Sequence, residues 1–308
     1  MTALKKIKSF DRSSGFYGEL RRTIKEFVIE RLIFLSGIAS IVFVALIFIF
    51  LLKEGISLFK TTGLLDFISG RFWYPISDPP KLGILPLILG SLIVTGGAIL
   101  IAVPLGIASA FYIADVASPK IRDILKSLIE TLSAIPSVVL GFIGMVTLVP
   151  FIKHLFNIPT GLTALSGSIM LAFMALPTII SISEDAINAV PRQYKEGAIA
   201  LGATHWQTLY RVIIHGAMPG IIAASMLGVG RVIGETMAVM MITGNAAVIP
   251  TMFLQPVRTL TATIAAEMGE TVRGGDHYFA LFTIGIVLFV ISFAINVTAD
   301  LLLNKAKR

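Results

Sequence analysis

From Leu82 to Ala114 the chain runs 33 residues without one charged side chain, and a second uncharged run covers Leu32–Leu52. Runs of this kind leave few options. A bilayer's hydrocarbon layer is about 30 Å thick, which an α-helix crosses in roughly 20 residues. Inside it every backbone N–H and C=O must be satisfied within the protein, which favours helices. The runs therefore specify transmembrane helices. Composition agrees: 56% of the 308 residues are hydrophobic and 14% are charged, where an ordinary soluble domain carries about 25%. One integral domain suffices for this length.

Several function classes drop out. The net charge of +7 would suggest nucleic acid in a soluble protein. Here flanking lysines and arginines that orient membrane spans explain it, and no nucleic-acid partner is expected. There is no cysteine, so disulfides, thiol catalysis and thiolate metal sites are excluded. His154, His205, His215 and His277 are scattered singly, which argues against a metal cluster. No P-loop, dinucleotide fingerprint or Gly-x-Ser-x-Gly elbow is present. No cofactor and no enzymatic activity are expected, and any energy must come from a partner or an ion gradient.

Residues 1–31 are polar and basic. Leu20, Ile24, Phe27 and Val28 share one helical face, which predicts an amphipathic segment on the membrane surface. Six spans follow, in a domain covering residues 32–303. The first is Leu32–Leu52. The loop 53–81 carries Trp73, Tyr74, Pro75, Pro79 and Pro80, an interfacial set. The uncharged run at Leu82–Ala114 would measure about 50 Å as one helix. It must tilt, extend or break, with Gly96-Gly97 and Pro104 as candidate sites. Span three is read as Leu128–Ile152, span four as Thr160–Ile182, span five as Ile213–Thr243 and span six as Tyr278–Leu303. Pro136, Pro150 and Pro177 are kinks or span ends. A short tail, 304–308, closes the chain. Six spans put both termini on one side. The segments on that side hold 17 Lys/Arg and those opposite hold 7, so the positive-inside rule places both termini in the cytoplasm.

The polar block 183–212 falls on the same side. Pro191 suits a first helical turn, Gly202 a helix stop and Thr204 the cap of a new helix. This reads as a stiff helical hairpin. From the residues alone, a docking element and a plain connecting loop remain equal alternatives.

The block contains Glu196-Gly197-Ala198, then Gly202 three residues on, then a span. This resembles the EAA signature of ATP-binding-cassette (ABC) importer permeases, although "VIIHG" puts His215 where that family usually has a proline. "SAIPSVVLGFIG" (133–144), "ALGATHWQTLYRVI", "GRVIGETMAVMMITGN" and "VRTLTATIAAEMGE" (257–270) resemble the phosphate-specific permeases of the Pst system, more its PstC type than its PstA type. The likeness spans roughly 82–303. It implies an all-α integral fold of the type I importer permease kind. It also implies a cytoplasmic coupling hairpin at Glu196, Gly197, Ala198 and Gly202 that docks the ATPase. The implied function is phosphate translocation across the inner membrane of a prokaryote. The implied partners are a PstA-type permease, a PstB-type ATPase dimer and a PstS-type phosphate-binding protein.

Arg231 and Glu235 interrupt span five. An arginine at the centre of a span costs on the order of 3 kcal/mol. Read as one helix, Glu235 lies four residues on along the same face and can pair with it. One reading is a structural ion pair. The other puts Arg231 in the substrate pathway, because its planar, permanently charged fork matches an oxyanion. Glu235 would then hold it, and the hydroxyls of Thr236 and Thr243 would assist. Gly228, Gly230 and Gly234 would keep one side slim for packing. Arg258 is a further pathway candidate. It sits in a short amphipathic helix that lines an outer gate, receives the solute-binding protein or simply rests on the interface. Two rivals are a permease for molybdate or sulfate and an ion-coupled carrier, which would need paired repeats and a midplane coupling site.

Overall fold

Pro86 opens the helix on which the fold is hung. Proline has no N–H to lose in a first turn, and α3 (Leu85–Phe111) begins at Leu85-Pro86. The computed structural model describes residues 12–306, with side chains from 26 to 298 and at 301. Before α3 come α1 (Arg12–Gly55), α2 (Leu64–Ser69) and a short antiparallel ribbon of β1 (Trp73–Tyr74) and β2 (Lys81–Leu82). After it come α4 (Pro119–Ala134), α5 (Ser137–Val146), α6 (Leu148–Phe156) and α7 (Ala164–Asn188). Then follow α8 (Arg192–Ala200), α9 (His205–Thr208), α10 (Ile214–Gly234), α11 (Met237–Ile242), α12 (Leu260–Glu267) and α13 (Asp276–Ala306). Among the described residues six helical stretches are long and apolar enough to cross a membrane.

The chain divides into two units, one through Lys53 and one from Glu54. The first is helical from Arg12 and passes residues 31 and 32 unbroken. The expected amphipathic face rests on Leu20 and Ile24, whose side chains lie outside the described residues, as do those of the tail 304–308.

In the second unit α3, α7 and α10 pack together. Their centre is Val94, Ala98 and Ala102 against Leu171, Ala175 and Ile179, with Val232, Val239 and Ile242. Close approach depends on two glycines. A Cβ at Gly106 would come 2.6 Å from Ile179 Cγ2, and one at Gly228 2.5 Å from Ile179 Cγ1. Missing side chains let helices meet by backbone in a setting where hydrophobic exclusion cannot drive them together. At one end of α3 Leu87 joins Leu58, Phe67, Trp73 and Leu260 beneath the loops. At the other end Ala110 and Ile113 join Ile187, Leu209 and Ile213 beneath α8 and α9. The 27 residues of α3 separate these ends by about 40 Å.

One alternative about the spans is decided and two expectations are corrected. The second span does not break at Gly96-Gly97 or Pro104: α3 is continuous through Pro104 and ends in a π-turn at Tyr112–Val116. The third does not start at Leu128. Ile135, before Pro136, takes ψ 128°, the extended backbone that a following proline favours. That ends α4, and the span begins at Ser137. Leu128 and Glu130 therefore belong to a separate helix. Pro136 and Pro150 mark helix starts, while Pro177 lies inside α7. The fifth span stops at Gly234, because Glu235 is extended at ψ 131°, and α11 is a separate short helix.

Candidate functional site

At one end of the bundle α8 and α9 form the expected hairpin. Gly202 has φ +85°, a left-handed conformation that suits glycine. Its N–H bonds Ile199 O and the Ala203 N–H bonds Ala198 O, the paired bonds of a Schellman stop. The spacing from Ala198 to Gly202 is thus one helix ending. Thr204 caps α9 by accepting from the Gln207 N–H, and its own N–H donates to Gln207 Oε1, which completes a capping box. Glu196, Gly197 and Gly202 are exposed and Ala198 is half-buried. Around them Leu201 is 92% and Trp206 70% exposed, far more than an ordinary connecting turn needs to show.

Arg231 lies in the last turn of α10 and is half-buried. Its Nη1 donates to Thr178 Oγ1 at 3.1 Å, near the middle of α7. Among the described residues it has no carboxylate partner. The expected contact with Glu235 is not formed, because the helix ends between them and the four-residue spacing no longer means one face. Glu235 Oε1 accepts instead from the Ala238 N–H at 3.3 Å, at the start of α11. The Thr236 hydroxyl donates to Gly234 O, and the buried Thr243 hydroxyl to Val239 O. Of Gly228, Gly230 and Gly234, Gly228 alone makes a close approach; a Cβ at either of the others would meet nothing within 4 Å.

Arg258 is at the opposite end from the hairpin, just before α12. It pairs with Glu267 through Nη1, and Glu267 also receives Trp73 Nε1 at 3.1 Å and lies 2.9 Å from His277 Nε2. These residues line a cavity of about 990 Å³ with Tyr74 and Glu270. Arg258 and Arg231 are therefore in separate places. A hydrogen bond from Thr261 Oγ1 to Glu235 O, 3.0 Å, ties α12 to the break beside Arg231. Thr178, Asp115 and the Glu267 cluster escape sequence reasoning, since each depends on contacts between distant segments.

Residues 102–308 match the family described as binding-protein-dependent transport system inner membrane component. The chain is 42% identical over 247 residues to the probable ABC transporter permease protein YqgH of Bacillus subtilis, covering 80% of each. It is 36% identical over 260 residues to the phosphate transport system permease protein PstC of Mesorhizobium japonicum, covering 78% of each. It is 32% identical to PstC of Haemophilus influenzae, covering 79% of this chain and 82% of that one. Its fold matches a bacterial ABC transporter that imports alginate, with a TM-score of 0.62 and 16% identity over 93% of this chain and all of that one. It also matches the MetNI methionine transporter in an inward-facing form, with a TM-score of 0.56 and 18% identity over 73% and 95%. The chain belongs to the binding-protein-dependent transport system inner membrane component family, as an ABC importer permease of the PstC type.

Proposed function

We propose that this permease carries inorganic phosphate across the inner membrane, with Arg231 as the group that meets it. The carrying observation is an arginine opposite the middle of α7 whose one bonded side chain among the described residues is the neutral Thr178 hydroxyl. A permanent charge there calls for a counter-charge, and an oxyanion matches the guanidinium fork. Two curated relatives whose printed names include phosphate transport support the choice of ion.

The hairpin around Glu196, Gly197, Ala198 and Gly202 receives a PstB-type ATPase, which hydrolyses ATP while this chain hydrolyses none. Exposed Leu201 and Trp206 support that assignment, as an apolar face at the end of a rigid motif. The hairpin end and both termini then face the cytoplasm, in line with the excess of basic residues there. Residues 1–31 precede the permease domain 32–303, and 304–308 form a tail. A PstA-type permease completes the pathway, and a PstS-type protein delivers phosphate to the loop end. There Arg258, held by Glu267, lines the outer vestibule as a second pathway group. Glu235 and Thr236 act beside Arg231 by shaping the break rather than by pairing with it.

The test is binding-protein-dependent uptake of labelled phosphate by vesicles carrying the complete complex. Sulfate and molybdate serve as competitors. Uptake of phosphate that neither competitor suppresses is expected. Preferred uptake of either competitor would refute the assignment.

A further inference from the structure

The π-turn at Tyr112–Val116 joins more elements than any loop at this end needs to. It closes with a long-reach bond from Ala117 N–H to Tyr112 O, 2.8 Å. Such a widened turn leaves carbonyls without helical partners. Arg122 of α4 takes two of them, with Nε on Ile113 O at 2.9 Å and Nη2 on Ala114 O at 2.7 Å. In the middle of this turn stands Asp115, whose side chain is 12% exposed. Its two oxygens go to two different helices of the hairpin. Lys195 of α8 bonds Oδ1, and Nε2 of His205 from α9 lies 2.7 Å from Oδ2.

One largely buried carboxylate thus bonds α8 through Lys195 and lies beside α9 at His205, while its Oδ2 makes no hydrogen bond among the described residues. The Lys195 bond links displacement of α8 to Asp115 and the end of α3. A cavity of about 570 Å³ beside the carboxylate, lined among others by Arg122, Lys126, Glu184 and Glu196, leaves room for such a shift. Beyond the turn α3 is a continuous rod packed on α7, which carries Thr178, and on α10, which carries Arg231. Two routes therefore lead from the hairpin to the helices around Arg231: α9 continues through the turn Leu209–Ile213 into α10 itself, and α8 is joined through Lys195 and Asp115 to α3.

We infer that Asp115 is a positioning residue that carries movement of the hairpin's first arm, α8, to α3, beside the direct continuation of α9 into α10. This rests on the reading of the hairpin as the ATPase seat. Asp115 touches neither ATPase nor substrate in this role. It ties α8 to the end of α3.

The experiment uses the complete complex in vesicles with its binding protein, measuring phosphate uptake and ATP hydrolysis together. Asp115→Asn keeps shape and hydrogen bonding but removes the charge. The ATPase should still co-purify and hydrolyse ATP, while phosphate moved per ATP falls at least about fivefold, the lower range of coupling between sites. Asp115→Glu should recover part of that ratio, and Lys195→Gln should lower it. A purely structural role would reduce uptake and hydrolysis in step, leaving the ratio at its wild-type value, and that result overturns the inference. Loss of the ATPase from the Asp115→Asn complex overturns it too, because Asp115 would then build the seat rather than transmit from it. The seat itself fails separately, if Gly202→Asp leaves ATPase binding and uptake at wild-type levels.

Discussion

Replacing Glu235 by glutamine separates two accounts of the charged pair in this protein. If Arg231 and Glu235 formed a buried ion pair, removing one partner would leave an uncompensated charge and cost roughly 3–5 kcal/mol. That is a factor of more than 100 in a folding equilibrium. The geometry predicts far less. The Glu235 carboxylate accepts one backbone bond, from Ala238 at 3.3 Å, at the start of a six-residue helix. Glutamine retains an acceptor oxygen and gives up only the favourable interaction of a negative charge with a helix N-terminus, about 0.3–1 kcal/mol. Glu235→Ala also removes the acceptor of the Ala238 N–H, about 0.5–1.5 kcal/mol more. Abundance in the membrane and thermal unfolding of the purified protein read these costs directly. Near wild-type abundance and a small shift in midpoint are expected for Glu235→Gln. Severe depletion that is repaired by adding Arg231→Gln would refute the geometry and restore the ion pair.

Gly202→Asp should cost the isolated chain about 1–2 kcal/mol, since φ is +85° but a Cβ there meets nothing within 4 Å. A larger effect on ATPase co-purification would then come from the partner surface, and normal co-purification with normal uptake would remove the hairpin from the mechanism. Cysteines introduced at Ser77 and Gly275 should react with an impermeant thiol reagent from outside, and those at Ser118 and Gln193 only after permeabilisation, against a chain with no cysteine of its own. Outside labelling at Gln193 would invert the orientation.

Features legible in the sequence are those whose cause is local. Gly202 and Thr204 declare a helix stop and a helix start by their own backbone and side-chain chemistry, and the hairpin stands where they put it. Six apolar helices follow from run length alone. Boundaries inside apolar stretches were harder. Leu128 and Leu132 look like membrane, yet they lie on α4, which ends at Ile135 because Pro136 follows. Nothing in the hydropathy of "GETMAV" marks the extended residue at Glu235, so two residues expected on one face are parted by a helix end. Hubs are the least legible. Asp115 meets Lys195 and His205, and Glu267 meets Trp73 and His277, across separations that periodicity does not encode.

The central claim is that Arg231 handles the transported anion, and phosphate uptake by Arg231 variants of the complete complex tests it most directly. Arg231→Gln keeps a hydrogen-bond donor for Thr178 but removes the charge, so the complex should assemble, hydrolyse ATP and move little or no phosphate. Arg231→Lys keeps the charge without the planar fork and should recover only part of the rate. Wild-type uptake by Arg231→Gln, alone or combined with Glu235→Gln, would contradict the claim.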